Sequence, residues 1–142
     1  MEQLLDIDNQ IDNIRFVVAD DNKINQFIIH FMLKDCYLNF ILNGEEAILA
    51  IPADQKKQTI LLLDLNMTDM DGSEVMQLLA KDPVKYGKVK TSCISAMHID
   101  NTDEEACLRM CDYYLGKPVD KNQLLEKVQS CIDSYQKITN GI

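Results

Sequence analysis

The sequence predicts an α/β fold, a five-stranded parallel sheet with helices on both faces, and three observations predict it. Short apolar runs alternate with amphipathic stretches through most of the 142 residues, which is the pattern of strands alternating with helices. The run Thr59-Ile60-Leu61-Leu62-Leu63 is continuously apolar after its first residue, as suits a central parallel strand buried on both faces. Two of the apolar runs stop abruptly at aspartates, Asp20-Asp21 and Asp64. Parallel sheets of this class gather their ligand-binding groups at the carboxyl ends of the strands.

Residues 1–13 are polar and acidic with scattered Leu and Ile, and they read as an extension ahead of a single domain at 14–142. The first strand is the β-branched run Ile14–Ala19. A helix follows at 23–34, with Ile24, Phe27, Ile28, Phe31 and Met32 at helical spacing and Asn22 placed to cap it. Most of that apolar bulk is expected to enter the core, although it exceeds what one helix face needs; a surplus suits a helical partner. A second strand at 37–42 leads through Asn43-Gly44 to a helix at 45–51, which Pro52 helps to end. The central strand at 59–63 runs into Asp64, and after a loop to Gly72 a third helix occupies 73–80. A fourth strand at 91–96 and a fourth helix at 102–110 follow. A fifth strand at 113–115 precedes a closing helix at 121–135, with Leu124, Leu125, Val128 and Ile132 along its core side.

Composition narrows the function. A net charge of −9, from 23 acidic and 14 basic residues, argues against direct nucleic-acid binding, which depends on Lys and Arg meeting phosphates. It suits a divalent cation held by carboxylates, and equally a solvated acidic surface. The five cysteines, Cys36, Cys93, Cys107, Cys111 and Cys131, include no CxxC pair. Cys107 and Cys111 are spaced to share a helix face, but two thiolates do not make a zinc site. An odd count without a signal peptide reads as reduced thiols in a soluble cytoplasmic protein, and no apolar run is long enough to enter a membrane. The two histidines, His30 and His98, are expected at the surface or its boundary rather than in a metal or catalytic site. No glycine-rich phosphate loop is present.

The strand ends carry the chemistry. Strand one ends at Asp20-Asp21, strand three at Asp64, strand four at Ser95 and strand five just before Lys117. Any one of these reads as a loop polar group or a helix cap; all five on one edge do not. Crowded carboxylates repel unless a cation relieves them, and Mg²⁺ takes one or two carboxylates together with a substrate phosphate. An aspartate can then act as a nucleophile toward phosphorus, with a lysine neutralising the transferring oxygens.

At these residues the chain resembles a response-regulator receiver domain of two-component and phosphorelay signalling, over about residues 14–137. The strings are VVADDNKIN, LLLDLNMTDMDG, CISA and YYLGKPV. The resemblance implies the flavodoxin-like (βα)5 fold, Mg²⁺ as cofactor, and a histidine kinase or histidine phosphotransfer protein as partner. It implies Asp20 and Asp21 as the acidic pair at the metal and Asp64 as phosphoacceptor and metal contact. Asn66 then supplies a backbone carbonyl to the ion. Ser95 matches the switch hydroxyl, with the small Ala96 after it, and Lys117, before Pro118, contacts the phosphate. Tyr114 matches the switch aromatic. The string Asp-Asp-Asn-x-x-Asn is closest in pattern to hybrid histidine kinase receivers.

Three positions depart from or refine that pattern. Thr68 stands where the family usually has proline, and Met110 where it usually has a glycine that ends the fourth helix. Met97, apolar two residues beyond Ser95, implies slow self-hydrolysis of the acyl phosphate. Two rival readings remain: a pseudo-receiver that binds without being phosphorylated, and a phosphatase of the haloacid dehalogenase type. The second is weakened by Asn66, where that motif carries another aspartate, and by an acidic pair that precedes the nucleophile.

Overall fold

Five strands form where the apolar runs lie: β1 (Ile14–Ala19), β2 (Leu38–Ile41), β3 (Gln58–Asp64), β4 (Lys90–Ser95) and β5 (Tyr113–Gly116). They belong to a computed structural model that describes residues 14–33, 36, 38–41, 44–51, 58–65, 72–86, 89–95 and 109–139. All pairings are parallel, in the order β2-β1-β3-β4-β5. All seven residues of β3 are buried, which explains why its sequence shows no alternation. The edge strands β2 and β5 keep exposed positions at Asn39 and Tyr114.

The helices are α1 (Lys23–Met32), α2 (Gly44–Ala50), α3 (Gly72–Lys81), the single turn α4 (Pro83–Tyr86) and α5 (Lys121–Thr139). Right-handed crossovers place α1 on one face, because β1 to β2 runs one way, and α2 and α3 on the other, because later connections run back. The core accordingly has two halves. Val17, Leu61, Leu63 and Cys93 pack with Val75, Met76 and Leu79 of α3. Phe16, Val18, Ile60, Leu62 and Ile94 pack with Ile29 of α1 and with Leu124, Val128 and Ile132 of α5. Leu125, expected on the core side, is only partly buried against that half.

Three local features differ from the sequence reading, and a fourth supplies what it left open. The turn α4 is additional; Asp82 caps it, its carboxylate accepting from the Lys85 N–H at 3.1 Å, and proline suits the first helical position. The helix α5 continues to Thr139, past its expected end at Tyr135. The third difference is at α1, whose apolar stripe does not enter the core: Ile24, Phe27 and Phe31 are 71%, 69% and 66% exposed. Its inward positions are Ile29 with the half-buried Asn25, Gln26 and Met32. Finally, the chain enters β5 through Asp112, not through a glycine. The Asp112 carboxylate accepts from the Thr91 N–H at 2.8 Å, and its own N–H donates to the Thr91 carbonyl at 3.1 Å. Arg109 and Met110 are helical; the other residues of the fourth helix expected at 102–110, like the extension expected at 1–13, lie outside the described residues.

Candidate functional site

The order β2-β1-β3 is a topological switch point: chain leaves β1 and β3 in opposite directions, and a crevice opens between their carboxyl ends. Asp20 and Asp64 sit there, one at each strand end, and both are buried. Asp21 beside them is exposed. Carboxylate oxygens of Asp20, Asp21 and Asp64 lie within 4.8 Å of one another. From the far side Lys117, which follows β5, brings Nζ to 2.9 Å from Asp64 Oδ1. Its position is held by main chain, since the Lys117 N–H donates to the Ser95 carbonyl at 2.8 Å. The Lys117–Pro118 peptide bond is cis.

Local sequence explains how this edge is held. Asn22 caps α1, its side chain accepting from the Ile24 and Asn25 N–H groups at 2.9 and 3.1 Å, as expected from sequence. The Asn22 N–H in turn donates to Asp20 Oδ1 at 2.9 Å. The Gln26 amide donates to the Asp20 carbonyl at 2.6 Å. Gln26 was not singled out in the sequence, although a polar residue one turn into an apolar helix and six positions after a strand-end aspartate is the available signal. Burial, and after it the neighbouring Asp64 charge, push the Asp20 carboxyl up to about 6, against the opposing pull of the Asn22 N–H and Lys117.

Ser95 is fully buried at the end of β4. Tyr114 is 39% exposed on β5, level with Cys93 in the strand register. The structure thus brings together Asp20, Asp21, Asp64 and Lys117 directly and sets Ser95 and Tyr114 on the adjoining strands. Asn66, Ala96, Met97, His98, Thr68, Met67 and Met70 lie outside the described residues. His30 is exposed, as expected, with its ring edge-on to Phe40 at 6.5 Å. The donor set fits a hard divalent cation: three carboxylates converge, and the Asp20 carboxyl, raised by burial and after it by the Asp64 charge, lacks the positive charge that a cation would supply. Among the described residues no helix is long and apolar enough to cross a membrane.

Residues 16–129 match the model of the response regulator receiver domain. The chain belongs to that family. The receiver is 26% identical over 118 residues to the chemotaxis protein CheY of Listeria monocytogenes, spanning 82% of this chain and 96% of CheY. Its fold matches the receiver domain of sensor histidine kinase PA1611 from Pseudomonas aeruginosa, which carries magnesium in its active-site cleft. That match has a TM-score of 0.71 at 22% identity and covers 84% of this chain and 97% of the other. The receiver domain of the Saccharomyces cerevisiae response regulator Ssk1, crystallised with the histidine phosphotransfer protein Ypd1, matches with a TM-score of 0.64 at 24% identity, over 81% of this chain and 86% of that one. Its place is therefore two-component signalling, on the CheY-like, flavodoxin-like fold expected from the sequence.

Proposed function

We propose that this receiver accepts a phosphoryl group on Asp64 from a phosphohistidine, with Mg²⁺ as its cofactor. The observation that carries the reading is the 2.9 Å ion pair of Lys117 Nζ with Asp64 Oδ1 beside two further carboxylates. Asp20, Asp21, Asp64 and the backbone carbonyl of Asn66 would hold the ion. Bound there, Mg²⁺ supplies positive charge against the phosphoryl oxygens and the crowded carboxylates. The Asp64 carboxylate attacks phosphorus: a P–O bond forms, the P–N bond breaks, and its electron pair leaves on the imidazole nitrogen. Lys117 stays at the transferred oxygens and stabilises their charge. Ser95 then hydrogen-bonds the phosphoryl group, and Tyr114 moves inward behind it, biasing a two-state surface around β4 and β5. The domain is a signalling phosphoacceptor that assists its own phosphorylation and dephosphorylation, not an enzyme with turnover, and we place it in the cytoplasm with its donor.

The donor is a histidine kinase or a histidine phosphotransfer protein, and α1 is the surface that suits it. Ile24, Phe27 and Phe31 form an exposed apolar stripe. Beside the stripe a groove of about 390 Å³, lined by Asn25, Ile28, Pro118 and Val119, runs to Asp20 and Lys117. A helix carrying phosphohistidine fits such a stripe because its apolar side packs on α1 while the histidine reaches the carboxylates.

The test is intact mass spectrometry after incubation with acetyl phosphate, with and without Mg²⁺, on wild type and Asp64→Asn. One added phosphoryl group that requires both Mg²⁺ and Asp64 is the expected result. No adduct under any condition would leave a binding module with the receiver fold and sink the reading.

A further inference from the structure

The register of β1 with both neighbouring strands stops at Ala19, and Asp20 is the buried residue that follows. Each of its polar groups has a partner. The Asp20 N–H donates to the Ile41 carbonyl of β2 at 3.2 Å, and Asp20 Oδ1 accepts the Asn22 N–H at 2.9 Å. A buried carbonyl needs a donor, and a side chain of α1 takes the place of a ladder partner: the Gln26 amide meets the Asp20 carbonyl at 2.6 Å. That carbonyl belongs to the peptide group joining Asp20 to Asp21. A peptide group is planar, so holding its oxygen sets the direction in which the chain leaves toward Asp21. The post that holds it is itself fixed. Gln26 is half-buried between exposed residues, and its own N–H donates to the carbonyl of the capping Asn22 at 3.0 Å. An amide also suits the place, because it donates without adding a positive charge that would compete with a cation for the carboxylates.

We propose that Gln26 is a positioning residue for the cation site: its hydrogen bond to the Asp20 carbonyl sets the Asp20–Asp21 peptide so that both carboxylates face Asp64. Gln26 acts through the acidic pair and touches neither the ion nor the phosphoryl group. The inference rests on the reading of Asp20 and Asp21 as Mg²⁺ ligands, and it names what brings the exposed member of the pair, Asp21, into line with the two buried carboxylates. With the bond removed, the Asp20–Asp21 peptide turns more freely, and the pair must be ordered again each time an ion binds. The effect therefore falls on cation affinity. It spares the transfer step, because Asp64 is held at the end of β3 and Lys117 by its N–H bond to the Ser95 carbonyl. Groups that orient a metal ligand from behind are typically worth about ten- to a hundredfold in metal affinity.

The test compares wild type, Gln26→Met and Leu33→Ala in the full chain. Methionine keeps the length and helix preference of glutamine but cannot donate. Leu33→Ala loosens the far end of α1 at a buried side chain and leaves the Asp20 carbonyl bonded. Calorimetric titration with Mg²⁺ should show a Kd raised about tenfold in Gln26→Met and unchanged in Leu33→Ala. The half-saturating Mg²⁺ for labelling by acetyl phosphate should rise by the same factor in Gln26→Met, while the rate at saturating Mg²⁺ holds. A wild-type Kd in Gln26→Met would overturn the proposal, and so would an equal weakening in both variants, which would mean that the bond merely supports the helix. A second measurement needs no ion: amide hydrogen exchange in the metal-free protein, followed by NMR. The Asp21 and Asn22 N–H groups should exchange faster in Gln26→Met and not in Leu33→Ala; equal rates would sink the positioning role. If wild type binds no Mg²⁺, the cation reading falls, and the exchange rates alone decide whether Gln26 positions the acidic pair.

Discussion

The helices α1 and α5 lie against the same face of the sheet, yet opposite chemistry attaches them. The helix α5 buries Leu124, Val128, Cys131 and Ile132, and the Cys131 carbonyl accepts the buried Gln58 amide of β3 at 2.9 Å. Its attachment is mainly apolar, as in an ordinary amphipathic helix. By contrast α1 buries only Ile29 along its length, with Leu33 just past its end. Half-buried Met32 packs beside them, while the start of the helix is held by polar bonds, the Asn22 cap and the Gln26 bond to the Asp20 carbonyl. Much of its apolar surface faces solvent. The difference teaches that α5 holds the fold together, whereas α1 is tied at its start to the site and leaves an apolar face in solvent, as the proposed docking of a donor requires.

The largest expected effect is on α5. Leu124→Ala removes a fully buried side chain and should cost about 3 kcal/mol, lowering the melting temperature by on the order of 10 °C. Calorimetry checks it; a loss no larger than that of a surface substitution would break the comparison at its stronger end.

Next is the coupling of the site to pH and cation. In the metal-free protein Asp20 binds its proton up to about 6, against an ordinary 3.8. Between those values the native state holds a proton that the unfolded chain has released, so the stability of the metal-free protein falls as pH rises through that window. A divalent cation needs the carboxylate ionised, so its stabilisation runs the other way and is full only above about 6. At a hundredfold excess over Kd, Mg²⁺ should add about 2.7 kcal/mol near neutral or higher pH and far less in the acid part of the window. Equal melting shifts in both conditions would show that Asp20 takes no part in holding the ion.

A smaller effect belongs to the polar start of α1. Removing the cap with Asn22→Ala should cost about 1 kcal/mol in urea unfolding. The backbone N–H that bonds Asp20 is retained, so the loss should come from helix fraying, with Mg²⁺ binding only weakened.

The sequence carried most of the architecture because its signals were local. Continuous burial of β3 was legible in residues 59–63, and the site was legible because strand ends announce it: Asp20, Asp64 and Lys117 stand where apolar runs stop or have just ended. The helix α1 was harder, since helical spacing reports that apolar residues share a face but not which face is turned inward. The deciding residue was Gln26, drawn inward by the Asp20 carbonyl, a partner on a different element. The turn α4 did have a local signal in Asp82-Pro83, a cap followed by a residue preset for a helix start. The Thr91–Asp112 bonds had none, because they join residues distant in sequence that meet only once β4 and β5 pair.

The smallest effect on stability is also the sharpest test of the comparison. Phe27→Ser with Phe31→Ser changes two side chains that are 69% and 66% exposed, and stability should move by no more than about 0.5 kcal/mol. If α1 keeps this face for a phosphohistidine donor, phosphoryl transfer from a protein donor should fall by about tenfold or more, as for apolar anchors at an interface. Labelling by acetyl phosphate should stay unchanged, because a small donor reaches Asp64 without touching α1. Single-turnover transfer from a phosphorylated histidine phosphotransfer protein, run beside acetyl phosphate labelling, separates the two. A fall with both donors would mean that α1 supports the site itself. An unchanged rate with both would mean that its apolar stripe serves some other partner.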